Sequence, residues 1–424
     1  MSEIYDVVVI GAGAAGISAG RRLAKAGVRF VVLEARDRIG GRAHTITANG
    51  LPLDMGCEWL HSAEHNVMTA IAEANGFTVD RSEAPWRKQS GGDGITAAEL
   101  ADFGQTFQRF EKRIDEEAET NTPRAASEYL EPGSRWNAMM NAIFSYISGA
   151  CLHEIDAADY ARYEDTGNNW RVREGYGALL VALGADLPTK LGVEVREIDH
   201  SGSIVRIHTS QGSIETRAVV ITIPTSKYEA LRFTPDLPHK HAAAAGLPLG
   251  VAEKVHFALA DAEEFPVDGH LWARSDVVDM GSYHLRPLGR PAIEVYYGGR
   301  LAHRLALAGP DAMVDFAKQE LASLLGASFP ARLTTLATTA WAGDPMALGS
   351  YSYAKPGFAD ERAVLAAPHD NRLFFAGEAC SRSHYSTAHG AFETGVRAVE
   401  EFQLSSSRLR AHSRRSPRAR SHRN

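Results

Sequence analysis

Short apolar runs separated by glycines open the chain. The run YDVVVI at 5–10 is typical of a strand that is buried on both faces of a parallel sheet. Apolar residues near helical spacing follow it and predict a helix that stops at Gly27. The run VRFVVL at 28–33 predicts a second strand. The chain therefore begins with a β-α-β unit.

Helical patterns take over further along. Thr96 and Glu99 have the spacing of a capping box. Apolar residues recur at helical spacing behind them, at Phe103, Phe107, Phe110 and Ile114. This spacing predicts an amphipathic helix, and a further helix is expected over 134–150.

Strand patterns return in the second half of the chain. Strands are predicted over 193–198, 203–209 and 217–224, with turns at Ser201-Gly202 and Gln211-Gly212. A mixed region over about 246–340 precedes a last strand over 372–378 and a helix from about 389 to 404. The nucleotide-type segments are thus split in three, with other segments inserted between them.

Composition bounds the class of protein. A length of 424 residues with 44% hydrophobic and 23% charged residues fits a globular protein of two domains. No apolar run is long enough to cross a bilayer, and the start MSEIYDVVVIGAG lacks the pattern of a secretion signal. The cysteines Cys57, Cys151 and Cys380 are odd in number and widely spaced, which argues against a disulfide framework. We therefore expect a cytoplasmic protein.

Charge is distributed unevenly along the chain. The net charge is −7, but the tail over 405–424 carries seven arginines and no acid, so the rest carries about −14. Such an acidic body attracts cations. The tail has no periodic apolar pattern, so we expect it to be disordered and without a specific partner. Its arginines would nevertheless suit nucleic acid or an acidic lipid surface.

A glycine motif lies between the first strand and the first helix. Gly11, Gly13 and Gly16 form G-x-G-x-x-G, and Glu34 ends the second strand. The first glycine permits the tight turn, the second permits close approach of a pyrophosphate, and the third permits packing of helix on strand. Free N–H groups at the helix start suit phosphates, and the carboxylate suits ribose hydroxyls. The sequence therefore predicts a dinucleotide site.

Two competing motifs carry less weight. Ser18 lies in a G-x-S-x-G pattern, but inside the predicted helix rather than on the strand-to-helix turn that a hydrolase nucleophile needs. His61, Glu64 and His65 match H-x-x-E-H, a zinc pattern, without a further cluster of ligands. We therefore expect neither a nucleophilic serine nor a metal.

The stretch that follows the second strand distinguishes FAD from NAD. EARDRIGGR at 34–42 resembles the E-A-x-x-R-x-G-G-R signature of the flavin amine oxidase superfamily, which includes monoamine and polyamine oxidases, L-amino acid oxidases and histone lysine demethylases. Glycines and arginines behind the ribose-binding acid let backbone and guanidinium groups close over an extended diphosphate. The resemblance covers nearly the whole chain except the tail, and it implies bound FAD.

Later motifs match in the order that the family shows. LDMGCEWLH at 53–61 resembles the stretch beside the flavin ring, and Val195 lies where the family meets the adenine end. Glu378 resembles the acid that binds ribitol, and 389–391 resembles the start of a helix that faces the flavin pyrimidine. The motif and the resemblance together assign these residues to FAD: Gly11, Gly13, Ala14, Ala15, Gly16, Glu34, Ala35, Arg36, Gly41, Arg42, Gly56, Glu58, Trp59, Val195, Gly377, Glu378, Thr387 and Ala388.

The substrate side is also implied by the resemblance. Lys254 matches the family lysine that holds a water against flavin N5, and Trp341 and Tyr351 match the wall that brackets the amine. These three are the candidate catalytic residues, and His61, Trp341, Tyr351 and Thr387 are the candidate substrate-binding residues.

Two departures from monoamine oxidases stand out. Ser350 replaces the cysteine that tethers the flavin there, so FAD is expected to be non-covalent. Thr387 replaces the second aromatic residue of their cage. Both departures point toward the polyamine oxidase or lysine demethylase side of the family.

The implied fold class is α/β. A Rossmann-like FAD-binding domain of the three-segment, glutathione-reductase type is expected with an interleaved α+β substrate-binding domain. The FAD-binding domain takes 1–80, 171–245 and 342–404, the substrate-binding domain takes 81–170 and 246–341, and the disordered basic tail takes 405–424.

The implied activity is FAD-dependent amine oxidation. Hydride leaves the carbon next to the amine nitrogen for flavin N5, the imine is hydrolysed to an aldehyde, and oxygen is reduced to hydrogen peroxide. The partners are thus O₂ and a small amine, a polyamine or another primary or secondary amine. The sequence leaves open which amine it is, and whether the protein is a monomer or a homodimer.

Three alternatives stay open. An L-amino acid oxidase would need an arginine for the substrate carboxylate, and Arg87 and Arg171 are candidates. A desaturase of the same fold fits less well with Lys254 and Trp341. A flavoprotein that serves as an interaction module without turnover would depend on the basic tail instead.

Overall fold

The computed structural model describes residues 4–87, 89–90, 95–118, 123–273 and 275–415. Its strands are β1 (Tyr5–Ile10), β2 (Phe30–Leu33), β3 (Thr45–Ala48), β4 (Leu51–Asp54), β5 (Trp59–Leu60), β6 (Val79–Asp80), β7 (Trp170–Val172), β8 (Thr189–Lys190), β9 (Val195–Asp199), β10 (Val205–Thr209), β11 (Gly212–Ile221), β12 (Arg232–Thr234), β13 (Ala252–Leu259), β14 (Gly269–Trp272), β15 (Ser282–Leu285), β16 (Ala292–Gly298), β17 (Leu333–Thr338) and β18 (Leu373–Phe375).

The helices alternate with these strands over most of the chain. They are α1 (Ala14–Lys25), α2 (Val67–Ala74), α3 (Ala97–Ala118), α4 (Asn137–Ser148), α5 (Ala157–Ala161), α6 (Tyr176–Gly184), α7 (Pro238–Gly246), α8 (Gly299–Ala308), α9 (Pro310–Leu325), α10 (Glu361–Ala366) and α11 (Ala388–Arg415). Short 3-10 helices cover Pro85–Arg87, Ala126–Tyr129, Thr225–Lys227, Ala262–Glu264, Pro287–Gly289, Phe329–Arg332 and Glu378–Cys380.

The larger sheet collects strands from distant parts of the chain. Strands β8, β2, β1, β11 and β18 are parallel, and β10 and β9 continue the sheet in antiparallel pairing before β12. Val7 and Val9 pack into a core with α1 and α11, whereas Val8 and Ile10 pack into a core on the opposite face. The prediction of a strand buried on both faces at 5–10 is confirmed, as is the α/β class.

A second, antiparallel sheet has the order β14, β15, β16, β13, β17. Val255 and Phe257 on β13 belong to the core beneath this sheet, together with residues of α3, α4, α8 and α9. Side chains alternate along a strand, so Lys254 and its alternating neighbours point away from that core. Lys254 lies opposite Tyr296 of β16 in the register.

The capping box at the start of α3 is confirmed. The Thr96 N–H donates to Glu99 Oε2 at 3.0 Å, and the Glu99 N–H donates to Thr96 Oγ1 at 3.2 Å. Phe103, Phe110 and Ile114 of this helix are buried. The helix expected over 134–150 is found as α4.

The last helix is longer than expected. We predicted its end at about 404 and disorder from 405, but α11 continues to Arg415. The Ser405 hydroxyl donates to the Phe402 carbonyl at 2.8 Å, and the Ser407 hydroxyl donates to the Gln403 carbonyl at 2.8 Å. These serines bond back along the helix rather than breaking it. The prediction of disorder was therefore wrong over 405–415, and for 416–424 it lies outside the described residues.

Two further sequence expectations concern membranes and thiols. Within the part of the chain that the structure describes, we find no helix with both the length and the apolar character of a membrane span. Cys57, Cys151 and Cys380 are all free.

Candidate active site

A cavity of about 1220 Å³ is lined by residues from both sheets. Every residue that the sequence assigned to cofactor, substrate or catalysis lines this cavity, with the exception of Gly16. Segments more than three hundred residues apart in sequence therefore meet at one place.

The glycine-rich turn at the end of β1 leaves room for a ligand. Gly11 has φ +100°, and a Cβ on Gly16 would lie 1.8 Å from the Gly11 carbonyl oxygen, so helix and strand need both glycines. A Cβ on Gly13 would meet nothing nearer than the Gly41 Cα at 3.9 Å. The protein itself thus has space for a side chain at Gly13, and glycine is needed there only if a ligand packs against the backbone.

The start of α1 supplies donors at the same turn. Its N-cap residue, Gly13, makes no side-chain hydrogen bond that would cap the helix. The first N–H groups of the helix, near Ala14 and Ala15, therefore face the cavity without a side-chain cap, which suits a phosphate. These observations fit the diphosphate of FAD.

Glu34 is fixed at the end of β2. Its Oε2 accepts from the Ala12 N–H at 2.7 Å, and its Oε1 accepts from the Arg36 N–H at 2.9 Å. The carboxylate is buried and lines the cavity. It is therefore held in place beside the glycine turn, as the sequence motif requires.

The arginines of the signature tie separate segments together. The Arg36 guanidinium donates to both carboxylate oxygens of Asp344, at 2.8 and 2.6 Å. Arg42 Nη1 donates to the Ser350 carbonyl at 2.7 Å and to Glu378 Oε1 at 3.0 Å. Burial alone would raise the pKa of Glu378, but the Arg42 charge, together with the Arg362 charge and hydrogen bonds from Ser352 and Ser386, lowers that pKa.

Lys254 is surrounded by two carboxyl groups and a backbone carbonyl. Its Nζ is 3.0 Å from Glu58 Oε2, 3.0 Å from Glu294 Oε1 and 3.1 Å from the Asp54 carbonyl oxygen. Burial by itself lowers the pKa of Lys254, but the Glu294 and Glu58 carboxylates raise it well above its ordinary value. The side chain is thus a permanent ammonium at any physiological pH.

The two carboxyls beside Lys254 differ in pKa. Burial would raise the pKa of Glu58, but the Lys254 ammonium, a hydrogen bond with Glu294 and the charges of His284 and Arg171 together lower that pKa well below the ordinary value. Burial and the Glu58 charge raise the pKa of Glu294. The two carboxyls are thus shifted in opposite directions, as expected for a close pair that holds one proton between them beside a single ammonium.

The sequence did not predict Glu294. It lies in the otherwise apolar run AIEVYYG of β16, paired with His256 across the sheet. An acid inside an apolar strand was the signal that could have marked it, because such a residue needs a partner.

Trp341 is anchored at both ends. Its backbone N–H donates to Glu253 Oε2 at 3.0 Å, and its indole Nε1 donates to the Met55 carbonyl at 2.7 Å. Glu253 Oε1 also accepts from the Ala342 N–H at 2.8 Å. The indole therefore has one fixed orientation against the cavity, and Glu253 is a second residue that the sequence did not predict.

Tyr351 lies against a further tyrosine. Its hydroxyl is 3.0 Å from the Tyr296 hydroxyl and also donates to the Tyr146 carbonyl. The neighbouring Ser350 hydroxyl donates to the Ala252 carbonyl at 2.8 Å and accepts from the Ala252 N–H at 2.8 Å. Ser350 thus joins β13 through its side chain.

Thr387 and His61 complete the predicted set. The Thr387 hydroxyl accepts from the Gly390 N–H at 3.0 Å and donates to the His384 carbonyl at 2.7 Å, so it caps α11. An aromatic side chain could not make this cap. His61 Nδ1 is 2.6 Å from Asn169 Oδ1.

The competing motifs do not form sites. Ser18 is buried in α1, where its hydroxyl donates to the Ala15 carbonyl at 2.9 Å and the Phe392 carbonyl at 2.7 Å. Among the described residues, His61, Glu64 and His65 do not bring their ligand atoms together. The serine is therefore a helix-packing residue.

Of the two arginines proposed for a substrate carboxylate, Arg171 is placed away from the cavity. Arg171 is 1% exposed, and its Nη2 is 2.9 Å from Asp268 Oδ1. Its guanidinium lies 4.8 Å from the centre of the Trp59 ring, and it does not line the cavity. The Arg87 side chain lies outside the described residues.

One part of the cavity wall is acidic. Glu111 is half-buried, Asp115 and Asp165 are exposed, and all three line the cavity. The Tyr160 hydroxyl donates to Glu111 Oε1 at 3.3 Å, and burial and the charges of Glu111, Asp165 and Asp115 raise the pKa of Tyr160. We call these three residues the acidic rim.

The sequence resembles a known family and its members. A family model described as flavin containing amine oxidoreductase matches residues 14–144 and 99–402. Polyamine oxidase 4 of Oryza sativa subsp. japonica is 29% identical over 93% of this chain and 88% of its own length.

Two solved structures share the fold. Cyclohexylamine oxidase from Brevibacterium oxydans has a TM-score of 0.80 at 21% identity, over 96% of this chain and 100% of that one. Putrescine oxidase bound to putrescine has a TM-score of 0.77 at 17% identity, over 95% of this chain and 100% of that one.

Proposed function

The chain belongs to the flavin-containing amine oxidoreductase family, and we propose that its cavity holds FAD beside a di- or polyamine substrate. It is an FAD-dependent amine oxidase. Bound FAD would accept a hydride from the carbon next to the amine nitrogen and pass the electrons to oxygen, which gives hydrogen peroxide. The oxidised amine is an imine, which water hydrolyses to an aldehyde.

The FAD residues proposed from the sequence are supported by the room at Gly13, the open start of α1 and the fixed Glu34 carboxylate. The Arg42–Glu378 pair would hold the ribitol side, and Val195 would meet the adenine. The link to FAD is proposed to be non-covalent, because the Ser350 hydroxyl is engaged with the backbone of β13.

Lys254 is proposed to act as a fixed hydrogen-bond donor. Its ammonium cannot serve as a base at physiological pH, because Glu294 and Glu58 raise its pKa. An ammonium has three N–H donors, and Glu58, Glu294 and the Asp54 carbonyl take all three, so it would hold a water molecule only when one of these acceptors gives way. Trp341 and Tyr351 would bracket the amine, since both are held by hydrogen bonds to their neighbours.

The acidic rim favours a substrate with more than one ammonium group. The reacting nitrogen must be neutral, but a second, charged nitrogen could rest among Glu111, Asp115 and Asp165 near the aromatic Tyr160. The acidic body of the protein would draw such a cation toward the cavity. This placement of three carboxyls on the cavity wall is the observation that carries the choice of a polyamine over a monoamine.

The segments proposed to bind FAD and those proposed to bind the substrate correspond to the two sheets. We propose that 1–80, 171–245 and 342–404 bind FAD, while 81–170 and 246–341 shape the substrate side. The acidic rim and Lys254 lie in the latter segments. A cytoplasmic location is proposed on the strength of the free thiols.

A peroxide-release screen tests the function. Purified protein with FAD bound is offered a monoamine, a diamine, longer polyamines and L-amino acids at equal concentrations. We expect the highest kcat/KM with a di- or polyamine and the formation of hydrogen peroxide. Peroxide from L-amino acids alone would contradict the proposal, and peroxide from none of the amines would favour a role without turnover.

A further inference from the structure

A cluster of imidazole and carboxylate groups lies away from the cavity, at the outer part of the larger sheet. His200 follows β9, while His369 and Asp370 lie in the turn before β18. One possible ligand atom from each of the three residues lies within 4.8 Å of the other two. None of the three lines the cavity. We propose that His200, His369 and Asp370 form a binding site for a divalent transition-metal ion such as Zn²⁺.

His200 has the arrangement of a histidine ligand. Its Nε2 is 2.8 Å from the Pro235 carbonyl oxygen. A carbonyl can only accept, so Nε2 carries the proton, and Nδ1 of the neutral ring keeps its lone pair. Metal-binding histidines commonly donate their second ring N–H to a backbone carbonyl in this way, which fixes both the tautomer and the ring orientation. The side chain is also buried, so it starts from one position.

His369 and Asp370 supply two further ligand atoms at a suitable separation. His369 Nε2 is 3.4 Å from Asp370 Oδ2. A tetrahedral Zn²⁺ with bonds of about 2.0–2.2 Å places neighbouring ligand atoms roughly 3.3–3.5 Å apart. A neutral His369 does not attract the Asp370 carboxylate by charge. A metal ion between the two side chains would supply the positive charge that a protonated imidazole would otherwise provide.

A fourth ligand and a competitor are both nearby. The His239 ring, on the exposed side of α7, lies 6.1 Å from the His369 ring between centroids, within reach of a side-chain rotation. Arg372 Nη2 lies 3.6 Å from Asp370 Oδ2 and donates to the His200 carbonyl at 2.9 Å. Arg372 therefore competes with the ion for the Asp370 carboxylate. The imidazoles of His200 and His369 would then be the main ligands.

The ligand types select the ion. Imidazoles with one carboxylate suit Zn²⁺, Co²⁺, Ni²⁺ and Cu²⁺, whereas Mg²⁺ and Ca²⁺ prefer oxygen ligands alone. A bound ion would join the end of β9 to the turn that leads through β18 to Gly377 at the cavity. Because such an ion binds the folded chain, it should raise the melting temperature, and the rise should grow with the logarithm of the free ion concentration above the dissociation constant.

The test is zinc binding by the FAD-loaded protein after treatment with a chelator. Isothermal titration and competition with a chromophoric chelator measure the affinity for Zn²⁺, and thermal unfolding with and without Zn²⁺ reports the linkage. We expect one Zn²⁺ per chain in this cluster and an affinity at least about tenfold weaker in His369→Ala and in Asp370→Asn. The rise in melting temperature at a given Zn²⁺ concentration should be smaller in both variants than in wild type, and Mg²⁺ should neither bind nor raise the melting temperature.

Two variants serve as controls. His303→Ala removes an exposed histidine of α8 that is unrelated to the cluster. His153→Ala disrupts the other group of converging ligand atoms, Cys151, His153 and Glu154. Both should bind Zn²⁺ at the proposed site like wild type. The visible flavin spectrum shows that each variant is folded, and exposed Asp370 can be changed with little risk to folding.

The proposal has clear contrary results. Zn²⁺ affinity that is unchanged in both His369→Ala and Asp370→Asn would overturn it, and so would a wild-type protein that takes up no Zn²⁺. Loss of binding in His153→Ala alone would place the ion at Cys151 and overturn it as well. None of these outcomes depends on amine oxidation.

Discussion

The Lys254 ammonium and the Glu58 carboxylate lie 3.0 Å apart, both buried, at the junction of the two sheets. Glu294 lies equally close to the ammonium, and the Glu294 and Glu58 carboxyls together raise the pKa of Lys254. A buried ammonium needs a counter-charge whether or not it also contacts a water molecule. The pair therefore explains how a charged lysine is tolerated in a buried strand. A mutation that removes one partner leaves the charge of the other unpaired.

Lys254→Met should lower turnover by about 10²-fold, toward the low end of the range for a positioned proton-handling group. It should also destabilise the fold by about 3–5 kcal/mol, because it leaves Glu58 buried without its partner. Rapid-mixing spectroscopy measures flavin reduction and reoxidation separately, and thermal unfolding measures stability.

The double variant Lys254→Met/Glu58→Gln separates the two effects. It removes the unpaired carboxylate, so most of the lost stability should return while the slow rate persists. If both half-reactions of the FAD-loaded single variant ran within twofold of wild type, Lys254 would have no place in the active site.

The pH profile should be independent of Lys254. The folded-state pKa of Lys254 is raised, so the stability from its ion pair is fully present below the unfolded value of about 10.4 and is lost only as pH rises through the folded value. The folded-state pKa of Glu58 is lowered, so its contribution is present above about 4.3 and is lost as pH falls through the folded value. Between roughly pH 5 and 10 neither group titrates.

Activity should therefore rise with pH according to the ionisation of the amine substrate itself. The apparent pKa of kcat/KM should follow the substrate amine across a series and should be the same in Lys254→Met/Glu58→Gln, whereas Lys254→Met alone leaves a buried Glu58 whose pKa is no longer lowered by the ammonium. An apparent pKa that shifted with the double variant, and stayed constant across amines, would show that an enzyme group near Lys254 titrates instead.

Local motifs predicted much of this site, and contacts between distant strands account for the rest. Gly13, Glu34 and Arg42 could be assigned because a motif of a few residues determines the shape of one turn. Glu294 and Glu253 could not, because their roles depend on the register of β13 against β16 and on the loop at 341–342, which no local pattern specifies. The extension of α11 was missed for a related reason, since its serines look like breakers until their bonds within the helix are known.

Glu34→Ala should weaken the retention of FAD. It removes a charge-assisted acceptor worth roughly 1.5–3 kcal/mol, which corresponds to about a tenfold to hundredfold rise in the FAD dissociation constant. Asp37→Ala is the matched control, because Asp37 is exposed in the same loop. Equal FAD affinity in the two variants would mean that another group binds the ribose.

FAD should leave the protein completely on acid precipitation. The Ser350 side chain stands where a tethering cysteine would, and it is bonded to the backbone of β13. Absorbance of the supernatant and the pellet measures the released and retained flavin. Yellow colour that stays with the denatured protein would reveal a covalent link at some other residue.

The acidic rim should set the preference for polycations. The double variant Glu111→Gln/Asp115→Asn removes two charges from the cavity wall, and exposed charges of this kind contribute about 0.2–1 kcal/mol each. We expect kcat/KM to fall by about 2- to 30-fold for a triamine, mainly through KM, while a monoamine of similar length changes little. Because Asp115 is exposed, added salt should reduce the difference in kcat/KM for the triamine between wild type and variant.

Glu116→Gln is the matched control, since Glu116 is exposed on the same helix but does not line the cavity. If the triamine and the monoamine lost activity equally, the rim would shape the cavity without recognising a second ammonium, and the substrate would have to be sought among monoamines.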